Sequence, residues 1–301
     1  MPRILVATAE GLHELGDGAA PGRVHHAGRV VTTVAQGRKD FWTVLEGSEV
    51  WHTADLDQWT HLADLANFRA TCIAAMDEDV LVGSSQARLF RVVGEGLEPV
   101  SAFDHAEGRS TWYTPWGGPP DTRSISEWDE AVYVNVHVGG IVRTGDRGET
   151  WTPTIDIDAD VHQVTTAEGL VLAASARGLA MSTDHGGAWT FRSEGLEAPY
   201  SRAVTVCGDA ALVSTSRGPR GGRAAVYRGA LGGGRLERCR TGLPEWFDDN
   251  IDSYCLDANP DRPFVAFGTS DGRVFASEDA GRSWDEFASG LPSVRRVLVL
   301  P

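Results

Sequence analysis

The 301-residue sequence predicts an all-β chain, a seven-bladed β-propeller of four-stranded antiparallel blades with blade 1 closed by the C-terminal strand. Three observations predict it. One short turn is spelled three times, as TGDRGETW from Thr144, STDHGGAW from Ser182 and SEDAGRSW from Ser277. A strand–turn–strand unit recurs seven times, and the period of that unit closes on itself around the chain ends.

The turn is a hairpin device. In S/T-x-D-x-G-x-x-W the hydroxyl and the carboxylate can accept backbone N–H groups, as in Asx-type and ST-type turns. Gly148, Gly186 and Gly281 stand where positive φ is needed, which costs a glycine nothing. Trp151, Trp189 and Trp284 follow as apolar anchors of the return strand. Poorer copies occur elsewhere. TADLDQW from Thr53 is one residue short and has Asp57 in place of Gly, while GDG after Leu15, RVVGEG after Phe90 and RGALGGGRL after Tyr227 keep only the turn composition.

The spelling closely resembles the Asp-box, or BNR repeat, of sialidases, sortilin-like receptor propellers, xyloglucan-degrading glycoside hydrolases and a photosystem II assembly factor. The resemblance implies the propeller fold and little about activity, since those families share the box and not a reaction. It also implies that the ligand face lies away from the boxes. The sialidase pattern goes no further here. There is no FRIP-type segment near the start, NFRATC at 67–72 is not one, and seven units depart from the six-bladed sialidase ring. The arginine triad and tyrosine nucleophile of that family are therefore not carried over.

The seven units are β-rich runs joined by Gly- and Ser-containing turns, ILVATAEG-LHEL being the first and FVAFGTSDG-RVFAS the last. Their second runs start at Leu12, Val50, Leu89, Ile141, Leu179, Val226 and Val274, spaced by 38, 39, 52, 38, 47 and 48 residues. From Val274 through the chain end and on to Leu12 is 39 residues, so the series is cyclic. The expected boundaries are blade 1 at 1–28 plus 293–301, blade 2 at 29–66, blade 3 at 67–104, an insertion at 105–122, then blade 4 at 123–156, blade 5 at 157–198, blade 6 at 199–246 and blade 7 at 247–292. Residues 294–300 are expected to pair with residues 4–8, which removes two exposed sheet edges.

Composition narrows the function. Twenty-seven Lys+Arg against 42 Asp+Glu give a net charge of −15, which argues against nucleic acid or an anionic membrane as partner. Lys39, in the polar turn QGRKD, is the single lysine. Cys72, Cys207, Cys239 and Cys255 show no C-x-x-C spacing, and the N-terminus runs into a strand without an apolar leader. No apolar run approaches membrane-spanning length. A cytoplasmic monomer with free thiols is the expectation.

Function is expected in the loops of the funnel face. The 52-residue spacing places extra chain at 103–124, where Trp112, Tyr113 and Trp116 precede GGPP; such a stiffened aromatic loop either binds a ligand or folds back as a private core. The connection 241–254 adds Trp246, Phe247, Asp248, Asp249 and Asp252, and SEGLEAPYSR adds Tyr200. Arg29, Arg69, Arg123, Arg202 and Arg295 recur just before innermost strands, with His162 at the comparable place in blade 5. They offer either a cationic rim for a carboxylate or phosphate or a set of ion pairs with the next blade. Arg217 and Arg220 lie in the longest turn, SRGPRGGR.

His137 and His162 are expected to approach one another on neighbouring blades, where they could move protons or, with Asp160, hold a metal. The acidic DIDAD run at 156–160 lacks the Gly and distal Glu of a calcium loop and reads as a solvated connector. Asp249 or Asp252 with Asp158 or Asp160 would supply the carboxylate pair of a glycosidase. No nucleophile elbow, phosphate loop, dinucleotide fingerprint or H-E-x-x-H occurs. The expectation is a module that binds a small polar or anionic molecule, or a peptide or protein, through Trp112, Tyr113, Trp116, Arg123, Tyr200, Arg202, Arg217 and Arg295. The alternative is a glycoside hydrolase or lyase using His137, His162, Asp249 or Asp252. No cofactor is expected, and a divalent metal is the minority reading.

Overall fold

The computed structural model describes residues 3–16, 22–77, 79–167 and 169–301. Seven four-stranded antiparallel sheets make a seven-bladed β-propeller, with short 3-10 turns as the helical segments of the described residues. The third strands are Gly11–Leu15, Glu49–Thr53, Arg88–Val93, Gly140–Thr144, Gly178–Ser182, Ala225–Ala230 and Val274–Ser277, and each contains one of the seven starts read from the period. Outer strands are short, as Thr152–Pro153 and Glu237–Arg238 illustrate. Short outer strands, one carrying a proline, limit edge-to-edge pairing.

The repeated turn forms through its side chains. Thr144 Oγ1 donates to Asp146 Oδ1 at 2.6 Å and accepts Gly148 N–H at 2.9 Å, while Asp146 Oδ1 accepts Thr150 N–H at 3.0 Å. The Thr144 hydroxyl, followed by the Thr150 hydroxyl and N–H, holds the Asp146 carboxyl below the usual carboxylate range. Ser182 with Asp184 and Ser277 with Asp279 repeat the net. Gly148, Gly186 and Gly281 have φ of 91°, 88° and 85°. The residue before each is left-handed too: Arg147, His185 and Ala280 have φ of 60°, 58° and 56°, which their side chains do not advertise.

TADLDQW closes in the same way despite its missing residue. Thr53 Oγ1 lies 3.1 Å from Asp55 Oδ1, Asp57 N–H donates to Asp55 at 2.8 Å, and Leu56 takes the left-handed position. The tryptophans divide. Trp151 and Trp284 are buried and donate to the glycine carbonyl of their own turns, whereas half-buried Trp189 donates to Thr154 O at 2.7 Å. GDG after Leu15 extends into residues 17–21, outside the described residues.

The chain divides into two compact units, Met1–Arg29, Leu172–Met181 and Thr190–Pro301 in one, Val30–Val171 and Ser182–Trp189 in the other. The first unit has an aromatic core in which Phe267 stacks on Phe275 at 5.1 Å and meets Phe247 and Trp284 edge-on. The second packs Trp42, Val44, Val50, Ile73 and Val82. All four cysteines are buried and outside any disulfide, and burial pushes the Cys207 and Cys239 thiols up to about 11, away from reactive thiolate chemistry.

The C-terminal strand Val294–Val299 pairs antiparallel with Ile4–Thr8, from Ile4 opposite Val299 to Thr8 opposite Val294. It is also tied to its other neighbour. Val297 N–H donates to Tyr254 O at 2.9 Å, Val299 N–H to Asp257 Oδ2 at 2.8 Å, and Asn259 Nδ2 to Leu300 O at 2.8 Å. Burial pushes the Asp257 carboxyl up to about 6, against the pull of Val299 N–H and Arg296. A folded-state pKa raised above the ordinary 3.8 means that the native state binds the extra proton. The stability Asp257 contributes is therefore full below pH 3.8 and lost as pH rises through about 6. Asp257→Asn keeps an acceptor oxygen without the charge. It is expected to be about 1–2 kcal/mol more stable than the parent at pH 8 and equal to it near pH 4, as read by urea denaturation at both pH values.

Among the described residues, innermost strands carry a register shift near their start at Thr32, Thr71, Arg123, Arg202–Ala203 and Arg295. Such a bulge leaves its extra residue unpaired in the ladder and re-aims its side chain. This corrects the expected placement of the arginines. Arg29 and Arg69 do precede their strands, but Arg123, Arg202 and Arg295 lie inside theirs, at the bulges, and His162 is the second residue of Val161–Ala167.

Candidate functional site

The loop after Ser101–His105 folds by splitting its aromatics. Phe103 is fully buried, edge-on to Trp151 with ring centroids 5.1 Å apart and 5.9 Å from Trp112. Arg109 lies 4.9 Å over the Trp112 ring and donates to Ala87 O at 2.9 Å and Gln86 O at 3.2 Å, and Asp104 joins it to Arg88. Trp112 is thus half-buried in a local core, as the fold-back reading expects.

Directly after it the chain turns outward. Tyr113 is 46% exposed and Trp116 70% exposed. The turn between them is not slack, because buried Thr114 Oγ1 lies 2.9 Å from the carbonyls of both Gly117 and Gly118, and Thr114 O accepts Gly117 N–H at 3.0 Å. Trp116 therefore projects from a braced loop, with its ring 5.0 Å from that of His137.

His137 follows strand Ala131–Val136, Asp160 ends the 3-10 turn Ile157–Ala159, and His162 lies in Val161–Ala167. The three meet. His137 Nε2 is 3.5 Å from Asp160 Oδ1 and His162 Nε2 is 3.6 Å from Asp160 Oδ2, with all three polar atoms within 4.8 Å of one another. Both imidazoles are buried, His162 fully, while the Asp160 side chain keeps 31% of its surface. Asp156 caps the turn by accepting Asp158 N–H at 2.9 Å, so DIDAD is an ordered turn that delivers Asp160 to the histidines. Asp158 stays exposed.

In the other unit, Arg202 Nε donates to Asp252 Oδ1 at 2.8 Å and the guanidinium lies 5.9 Å over Tyr200. The ion-pair reading therefore holds for Arg202, as it does in the second unit for Arg69 with Asp121 at 3.1 Å. Asp249 accepts the Ser270 hydroxyl at 2.7 Å. Arg217 lies 3.8 Å from Glu197, in a turn that Asn250 anchors through the carbonyls of Gly218 and Pro219, and Arg295 is exposed. A further cleft of about 720 Å³ was not anticipated; it is lined by Glu197, Tyr227, Arg235, Arg238, Arg240 and Trp246, with Arg238 stacked 4.0 Å over Trp246.

No family model and no curated protein matches the chain. Among solved structures, YCF48 bound to D1 peptide is 14% identical, with 95% of this chain and 85% of that one covered at a TM-score of 0.59. The WD40 β-propeller domain of Doa1 is 14% identical over 99% of this chain and 87% of that one, TM-score 0.61. The GH74 xyloglucanase from Xanthomonas campestris is 13% identical over 95% of this chain, TM-score 0.60, and the match spans 47% of the enzyme. These similarities bear on the fold alone. The chain is a seven-bladed β-propeller whose structural neighbours include both binding proteins and enzymes. Among the described residues no helix is long and apolar enough to cross a membrane.

Proposed function

We propose that the protein is a binding module of the cytoplasm, monomeric, which takes a peptide tail or a small polar molecule on the surface carrying Tyr113 and Trp116. The observation that carries this reading is Trp116, an indole 70% exposed on a loop braced by Thr114 and by the Phe103 core. A rigid exposed aromatic gives up little conformational entropy on contact, which is why such residues dominate interface energetics. The peptide in the YCF48 complex supports the same class of ligand for this propeller form. Four cysteines without a disulfide suit a reducing compartment. In the other unit an anionic ligand is proposed separately at exposed Arg295, since Arg202 is engaged by Asp252 and Arg217 faces Glu197 at 3.8 Å.

Titration of the purified chain with a panel of peptides and small carboxylates, followed by calorimetry, tests this. Saturable binding is expected for at least one panel member, weakened about thirtyfold by Trp116→Ala, as for a central aromatic anchor. Binding indifferent to Trp116→Ala and Tyr113→Ala would sink the reading.

A second reading, an enzyme of glycosidase or lyase type, draws on His137 and His162 beside Asp160, groups able to pass a proton. The carboxylates Asp249 and Asp252 lend it less, being engaged by Ser270 and Arg202. Turnover of a glycoside panel that is lost in His162→Ala or Asp249→Ala would favour it over the binding module.

A further inference from the structure

We infer that His137, Asp160 and His162 form a site for one first-row divalent cation, Zn²⁺ being the best match, beside the ring of Trp116. The donor set is two imidazole nitrogens and a carboxylate oxygen, which selects zinc and its neighbours over calcium or magnesium, both of which take oxygen ligands. The spacing agrees. A tetrahedral ion with ligands at the usual 2.0–2.1 Å separates them by about 3.4 Å; His137 Nε2 stands 3.5 Å from Asp160 Oδ1 and His162 Nε2 stands 3.6 Å from the other oxygen, Oδ2, so the carboxylate lies between the two imidazoles. All three donors come within 4.8 Å, and a turn of the partly exposed Asp160 carboxylate brings one oxygen toward both imidazoles.

The backbone supports the geometry at a cost. Asp160 has φ 48° and ψ 70°, and Val138, directly after His137, has φ 47°, a conformation unfavourable for a β-branched side chain. The left-handed positions are thus one donor, Asp160, and the neighbour of another, His137. The His137 backbone is held by its N–H bond to Asp121 O at 3.0 Å. Burial of both imidazoles fixes their rings, and the surface that Asp160 retains leaves room for a fourth ligand such as water.

The test uses the full chain treated with chelator, dialysed, and titrated with Zn²⁺ and separately with Co²⁺. One equivalent of each is expected to bind, with a tetrahedral Co²⁺ absorption spectrum, a raised melting temperature, and no competition from Ca²⁺ or Mg²⁺. Asp160→Asn, at a partly exposed position, and His162→Gln are expected to lower affinity by about a hundredfold or more, as loss of a direct ligand should. Lys39→Ala, at an exposed position outside the cluster, is expected to bind the ions like the parent. Because His162 is buried, each variant is first compared with the parent by far-ultraviolet circular dichroism, and Asp160→Asn alone suffices if His162→Gln misfolds. Absence of stoichiometric binding, an octahedral Co²⁺ spectrum, or binding unchanged in folded Asp160→Asn would overturn the inference.

Discussion

A chain lacking residues 295–301 is expected to aggregate without a cooperative melt. The deletion removes Val297, Val299 and Leu300, all at least 96% buried, and the stacking of Arg296 on Tyr254 at 3.9 Å. Three buried aliphatic side chains are worth about 1.5–3 kcal/mol each, and the broken ladder adds to that. A domain has only about 5–15 kcal/mol to lose. Strand Ile4–Thr8, buried at every position, would become an open edge, and Asp257 and Asn259 would lose partners in Val299 and Leu300. Size-exclusion chromatography and a thermal scan read the outcome; a truncated protein that is monodisperse and melts with the parent contradicts the account.

Phe103→Ala is expected to destabilise the protein by about 3–5 kcal/mol, the usual cost of emptying a buried aromatic position. Its second effect is local. Phe103 is the contact through which Trp112 and Trp151 hold the loop, so its loss should make residues 106–121 the first site of limited proteolysis and should weaken ligand binding at Trp116. Phe103→Leu, which keeps most of the volume, should lose less than half as much stability. Urea denaturation gives the first quantity and mass spectrometry of early fragments the second. Cleavage that starts elsewhere would show that the loop is held by Arg109 and not by the ring.

The repeat was legible because each unit must bury its own face against the next, which imposes a period on the apolar residues. Hence all seven third strands and the C-terminal closure could be located from spacing. The meeting of His137 with His162 was legible for the same reason, as both occupy fixed places in adjacent units. The bulges were not. Two of the bulge positions are threonine, Thr32 and Thr71, and three are arginine, Arg123, Arg202 and Arg295, residue types that occur throughout the chain and carry no bulge signal of their own. Nor could the pairing of Arg202 with Asp252 be read, since the partners are fifty residues apart and many other acids were available. The loop 103–124 held two readings open because composition does not say which of three adjacent aromatics turns inward. Phe103 and Arg109 decide that, and they recruit Trp112 alone.

The bulge position also decides how one sheet is stitched to its neighbour. At Thr71 a hydroxyl reaches Thr122 O on the following sheet, and at Arg202 a guanidinium reaches Asp252. Because that residue stands outside the ladder, it can be exchanged without disturbing main-chain pairing. Descendants of this scaffold could thus trade a short tie for a long cation sheet by sheet, acquiring new specificity while the framework beneath stays constant.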